Sequence, residues 1–517
     1  MLMKPGVLRE TALAAWPILA AGMVFPWWGT HRFHKIALIL IICAWAAAHW
    51  YRKGKEFSFG GRALPFALSL LTLSLFMGMG MLAVVNHSNY DWGDIAYYLS
   101  SFHNSKGWLP GSNVISGRPF LAHHSEFYCI PLGWIFRLAP GHFTLQLVQA
   151  ACITAAWALF RSWILGKTRE KSAAEWLAFG FALSPCLLTL LLKGFHGVAF
   201  AAPFLVLTAA SFHDRNWRKF LISLILLLLV KEVFTITAIS LGCLALLQRR
   251  PAKWIVAPIA LGLCCGIFLR FAFFPMMLKD SVYYYSSFVD GWRPMLARIL
   301  SVNSIKYGYL LLLWGGTYAV LRSPYLLLAL PPIAINLALN GAFASPSFHY
   351  IMEPSFWIFF AGATSFLERE AREADEPVLR HRRLASFLAC MLLMNFITRQ
   401  GLPLYRHHEY EASFRKALEE IPEAATLSLG VSLEDHLWKV KSWYWIHYAG
   451  EHWLPYDEDT GCRGGQYALL PRITGPIKHL GHVERERIRV CLESLEKDPA
   501  YVIAGSDKVL TLFRRKD

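Results

Sequence analysis

Charge is scarce in this chain, and acid is scarcer than base. Only 17% of its 517 residues are Asp, Glu, Lys or Arg, against roughly 25% in soluble proteins, while 55% are hydrophobic and 15% aromatic. So few charges cannot cover the surface of a soluble protein of this length, which points to a polytopic membrane protein. Cysteine pattern is lacking as well. The ten cysteines show neither CxxC nor Cys/His ligand spacing, which excludes a thiolate-built metal site. Most of them, such as Cys43, Cys186 and Cys243, lie inside apolar runs as small hydrophobes. The net charge of +16 would suggest nucleic acid in a soluble protein. Here Lys and Arg gather in short loops between apolar runs, which is the signal of membrane insertion and not of a nucleic-acid partner.

What is present is a series of apolar runs at 11–28, 36–50, 63–85, 143–165, 174–192, 197–212, 219–247, 254–275, 306–321, 324–340, 354–368 and 384–398. Several fall short of the roughly 20 residues that a full span prefers, so some are expected to be oblique or shielded. Basic loops at 51–62, 161–171, 215–219 and 369–383 mark the cytoplasmic side. The segment 86–126 carries only Lys106 and Arg118 as basic residues, and so faces outward. The run from Phe220 to Gln248 has basic residues at both ends, Arg218 and Lys219 before it and Arg249, Arg250 and Lys253 after it. It must therefore turn back, with Lys231 and Glu232 at the tip of a hairpin. The count comes to about thirteen crossings, with the N-terminus cytoplasmic. The expected organisation is two N-terminal spans in 1–62, a transmembrane core in 63–398, and an external α/β domain in 399–517, where IPEAATLSLG and PAYVIAGSDKVLTLF read as short strands.

The stretch Asn86 to Glu126 is the first long polar segment after lipid-grade sequence. Asp91 and Asp94 are three residues apart, which on a helix gives one face at the membrane edge. They suit proton abstraction or a divalent cation; either could instead cap a helix. His123, His124 and Glu126 precede the aromatic amphipathic segment FYCIPLGWIFRLAP. Histidine beside a carboxylate can bind metal or relay protons, and it can equally anchor the interface. His196 lies in an outward hairpin between two runs. Lys231 and Glu232 interrupt an apolar run, where ionisable groups are expensive and mark function or a wet cap. His349 and Tyr350 stand outside ahead of a span, as site residues or interface anchors. In the tail, Cys462 and Cys491 could close a disulfide in an oxidising compartment or remain buried thiols.

The order YDWG, SGRPFLAHHSEF, a Gly-Phe-His hairpin before the Pro203-containing span, the Lys231–Glu232 pair and Phe348-His349-Tyr350 resembles a bacterial and archaeal family of polytopic proteins. That family is known as a domain of unknown function and grouped distantly with the GT-C glycosyltransferases. The resemblance implies a GT-C-like α-helical fold and a polyprenyl-phosphate sugar donor used at the outer face of the inner membrane. It places the essential first-loop Asp at Asp91. The implied site has Asp91, Asp94, His124, Glu126 and His196 as catalytic groups. Arg118, Lys231, Glu232, His349 and Tyr350 would bind substrate, and Asp91 with His124 would hold a divalent cation, Mg or Mn. The chain departs from the family pattern at Gly194, Val233 and His123, where acids are usual. The alternative function is a transporter or lipid-handling protein, and the absence of an inverted repeat argues against it.

The orientation is testable. A cysteine introduced at position 106 or 410 should react with an impermeant thiol reagent in intact cells, and protection of both would overturn the outward assignment of the first loop and the tail.

Overall fold

The computed structural model describes residues 62–85, 119–122, 124–140, 142–192, 195–278, 292–301, 323–339, 349–372, 427–429, 453–454, 467–471, 492–506 and 510–516, with a few single positions or pairs between them, among them Tyr97, Tyr98, Ser101 and Phe102. Asp91, Asp94, Arg118, His123, Cys462 and Cys491 lie outside the described residues.

Among the described residues the chain is mostly helical. The helices are α1 (Ala63–Val85), α2 (Cys129–Leu138), α3 (His142–Lys167), α4 (Lys171–Ala182), α5 (Pro185–Leu192), α6 (Ala201–His213), α7 (Trp217–Leu228), α8 (Phe234–Leu247) and α9 (Ala252–Phe268). They are followed by α10 (Phe274–Leu278), α11 (Trp292–Ile299), α12 (Leu330–Ala338) and α13 (Met352–Arg372). Two helices are long and apolar enough to cross a bilayer by themselves, Phe143–Lys167 and Ala252–Leu278, the second of which continues α9 through a π-helical turn at Leu269–Phe273. Other apolar helices are shorter.

The chain divides into two compact units. One comprises 1–79, 149–192 and 197–404; the other comprises 80–148, 193–196 and 405–517. The second unit thus gathers the first loop, the Gly-Phe-His hairpin and the tail.

Two breaks in the apolar runs have local causes. The stretch 174–192, expected as one run, is split between α4 and α5 because Pro185 has no N–H to continue the ladder. Ser184 caps the new helix, its Oγ accepting from the Cys186 N–H at 3.3 Å. The long run 220–248 breaks into α7 and α8 with Lys231 in the turn between them, as its flanking charges required.

In the first unit, one buried acid is paired and two helices approach closely. Arg161 of α3 makes two bonds to Glu175 of α4, Nε to Oε2 at 2.8 Å and Nη2 to Oε1 at 2.5 Å, while its guanidinium lies 4.5 Å from the Phe66 ring centroid. Glu175 is buried, so a planar two-pronged partner matters there. Helices α8 and α9 meet through glycine. A Cβ on Gly242 would lie 2.4 Å from Ile259 Cγ1, and one on Gly262 would lie 2.6 Å from the Thr235 carbonyl oxygen. Small residues at such crossings let backbones approach where lipid supplies no hydrophobic drive.

The tail builds a five-stranded sheet in the order β2-β1-β3-β5-β4 from β1 (Leu427–Leu429), β2 (Trp453–Leu454), β3 (Tyr467–Pro471), β4 (Tyr501–Ser506) and β5 (Leu510–Arg515). β1 is parallel to β2 and β3, whereas β5 is antiparallel to β3 and β4. Leu495, Tyr501 and Phe513 form a small core beneath the β4–β5 hairpin. The stretches IPEAATLSLG and PAYVIAGSDKVLTLF supply β1, β4 and β5; β2 and β3 were not expected.

Gly262→Ala should destabilise the protein by about 1–3 kcal/mol, since the intruding methyl meets backbone, which cannot rotate away. Gly78→Ala, where the added carbon meets nothing within 4 Å, should be neutral or stabilising. Thermal unfolding of both variants in detergent checks this, and equal midpoints would refute the close crossing.

Candidate functional site

In the second unit several described residues of the first loop gather around one carboxylate. The residues Ser125 to Tyr128 turn into α2, whose first turn is closed by the Cys129 N–H donating to the Glu126 carbonyl at 3.0 Å. Glu126 is thereby held at a helix N-terminus, where an acid is favoured. Its side chain is 1% exposed. Oε2 accepts from the Tyr98 hydroxyl at 2.6 Å and from the Tyr128 hydroxyl at 3.0 Å, and the Cys129 thiol lies 3.9 Å away. Burial, and then the Glu126 carboxylate, push the Tyr98 phenol well above its ordinary pKa. Burial does the same for Tyr128, with Cys129 and Glu126 adding to it. Both phenols therefore keep their protons and act as donors.

Aromatic rings fix this arrangement. Tyr98 packs against Phe120, with centroids 5.3 Å apart, and edge-on against Phe195, with centroids 4.7 Å apart. The neighbouring Tyr97 donates its hydroxyl to the Phe120 carbonyl at 2.7 Å. Phe195 belongs to the Gly-Phe-His motif, so two segments nearly one hundred residues apart in sequence share one cluster. Next to Phe195, His196 is 1% exposed. His124, two residues before Glu126, is half-buried. Among the described residues no three of His, Cys, Asp and Glu stand close enough to hold a metal ion. Asp91, which the sequence pairs with His124 for that role, lies outside the described residues with Asp94 and Arg118.

The first unit carries the other expected groups. Lys231 is buried in the turn between α7 and α8, and Glu232 beside it is half-buried. The carbonyl of Glu232 accepts from the Thr235 hydroxyl at 2.7 Å, and that of Lys231 from the Phe234 N–H at 3.2 Å, so both backbones serve the start of α8. His349 opens the 3-10 turn His349–Ile351 that leads into α13. The Tyr350 carbonyl accepts from Asn336 Nδ2 at 2.9 Å, and the same Nδ2 reaches the Tyr307 hydroxyl at 3.1 Å.

Sequence reasoning overlooked three polar groups. Tyr98, Tyr128 and Glu353 are not among the residues that the sequence singles out. In the structure Glu353 is buried and accepts a hydrogen bond from the Thr237 hydroxyl of α8. The available signal is its place three residues after Tyr350, an acid at the foot of an apolar run.

Tyr98→Phe should lower stability by about 1.5–3 kcal/mol, the usual worth of a hydrogen bond to a charged partner. Glu126→Gln should cost less, since an amide oxygen still accepts from both phenols. Unfolding midpoints in detergent measure both, and an unchanged Tyr98→Phe would mean that the phenol does not hold the carboxylate.

Comparison with known proteins gives this architecture a place. The fold is similar to that of ArnT from Cupriavidus metallidurans in two crystal structures. The one bound to undecaprenyl phosphate has a TM-score of 0.51 at 10% identity, covering 87% of this chain and 97% of ArnT. The apo structure has a TM-score of 0.52 at 11% identity, covering 85% and 97%. At such identities the likeness is one of fold, and the fold is of the GT-C kind. No curated protein matches the sequence. The family model described as "Predicted membrane protein (DUF2079)" matches residues 94–434. That stretch takes in the Glu126 cluster, the Gly-Phe-His hairpin, the Lys231 turn and Glu353, and it exceeds half of the 517 residues; the chain belongs to the DUF2079 family of predicted membrane proteins.

Proposed function

We propose that this protein is a membrane glycosyltransferase that takes a sugar from a polyprenyl-phosphate donor and transfers it to an acceptor at the outer face of the inner membrane. The observation that carries the reading is the fold shared with ArnT over nearly all of ArnT's length, in a protein solved with undecaprenyl phosphate bound. Asp91 is assigned as the general base or metal ligand, and Arg118 and Lys231 as cations for the donor phosphate. His124, Glu126 and His196 are assigned to support the reacting groups. Glu232, His349 and Tyr350 remain assigned to substrate binding.

The chemistry suits these residue types. Attack by an acceptor hydroxyl on a sugar-phosphate carbon needs a carboxylate to draw off the proton. The departing lipid phosphate needs positive charge, from Lys, Arg or a divalent cation such as Mg or Mn. If the cation is used, chelation should stop transfer and added Mg or Mn should restore it.

Asp91→Asn preserves shape and removes charge, so it should lower sugar transfer by roughly 10²–10⁴-fold with unfolding unchanged. The assay is label transfer from a polyprenyl-phosphate sugar in membranes containing the purified chain. Full transfer by the variant would remove Asp91 from the chemistry. A wild-type protein that binds polyprenyl phosphate but transfers nothing would favour the lipid-handling reading.

A further inference from the structure

At the ends of α6 and α8, two turns are built alike. Each closes with a bond from the residue after the turn to a carbonyl five positions back, Asn216 N–H to Ser211 at 2.9 Å and Arg250 N–H to Ala245 at 2.9 Å. Each places its preceding residue in the left-handed region, Arg215 with φ 55° and Arg249 with φ 51°. Glycine is the usual occupant of this position, because a side chain there is strained. Among the described residues these two are the sole non-glycine positions with positive φ. Loop charge serving orientation alone could sit at any unstrained position nearby. The chain instead keeps arginine at both strained ones.

The two turns are neighbours. Arg250 donates from Nη1 to the Phe212 carbonyl at 2.5 Å and lies 3.7 Å over the Phe212 ring, so it caps α6 and ties the turns together. Trp217 and Trp254 meet edge-on at 5.2 Å, with the Lys253 ammonium 5.6 Å from the Trp217 ring. Asp214, the acid directly before Arg215, is engaged by Lys167 at 2.9 Å. Arg215 and Arg249 are exposed and, among the described residues, have no ion-pair partner. Exposed apolar side chains run away from each turn along the helices, Ile222 and Leu226 on α7, Leu246 and Leu247 on α8, and Val256 on α9.

We propose that these twin turns bind the headgroup of an anionic phospholipid, with Arg215 and Arg249 on its phosphate and the exposed apolar rows along its acyl chains. The guanidinium fork suits a phosphate's oxygens, the indoles suit the headgroup level, and the charge is complementary to an acidic lipid and, among the described residues, not neutralised by an ion pair.

Native mass spectrometry of the full chain, exchanged into phosphatidylglycerol and phosphatidylcholine in turn, tests this. The wild type should retain phosphatidylglycerol preferentially. Arg215→Gly with Arg249→Gly should lower that preference roughly thirtyfold, two cations' worth at a membrane surface. Its unfolding midpoint should hold or rise, since glycine fits the turn. Should that variant fail to fold, Arg215→Asn with Arg249→Asn takes its place, asparagine being tolerated there. An undiminished preference in a folded double variant would overturn the proposal. So would equal retention of both lipids by the wild type, displacement of lipid by soluble glycerol phosphate at equal concentration, or unfolding of both double variants.

Discussion

Lipid offers no water to an ionisable side chain, and most of this chain's polar architecture follows from that constraint. At three places where a charge falls within or beside an apolar stretch, the helix stops or a partner waits. Lys231 stands in the turn that separates α7 from α8. Glu175 is met by both prongs of Arg161. Glu353 takes the Thr237 hydroxyl. Removing one member of such a set leaves an unanswered charge in a low dielectric, which is worse than removing both.

The same constraint explains how the first loop is built. A wholly buried Glu126 is tolerable because two phenols, a helix start and an aromatic cluster are assembled around it. Burial keeps those phenols protonated, and protonated phenols are the donors the carboxylate needs. Phe195 locks Tyr98 from a distant part of the sequence, so the Gly-Phe-His hairpin supports the first loop whatever His196 itself does.

Much of this was legible beforehand because hydropathy and loop charge are local signals. The span 63–85 coincides with α1, and the basic flanks of 220–248 required a turn near Lys231 where the structure has one. The strands of IPEAATLSLG and PAYVIAGSDKVLTLF also appear. What was not legible depends on contact. Nothing local told Tyr98 from other interface tyrosines, because its role is defined by Glu126, twenty-eight residues on. Glu353 gains its role only through Thr237, which α8 brings to it. Proline at 185 was a readable break that the continuous apolar run 174–192 obscured, and β2 is too short, at two residues, to announce itself. For Asp91, Asp94 and Arg118, and for the pairing of Cys462 with Cys491, the sequence reading stands alone.

The Lys231 turn has a consequence for the surrounding bilayer. The helices leading to it have 12 and 14 residues, and therefore reach about 18 and 21 Å, whereas the hydrocarbon layer is about 30 Å thick. Both begin or end at the basic turns of 214–216 and 248–250, which belong at the headgroups. The ammonium is thus suspended at a depth fixed by helix length, short of the opposite interface. Either the membrane thins around the hairpin or a wet inlet descends to meet it.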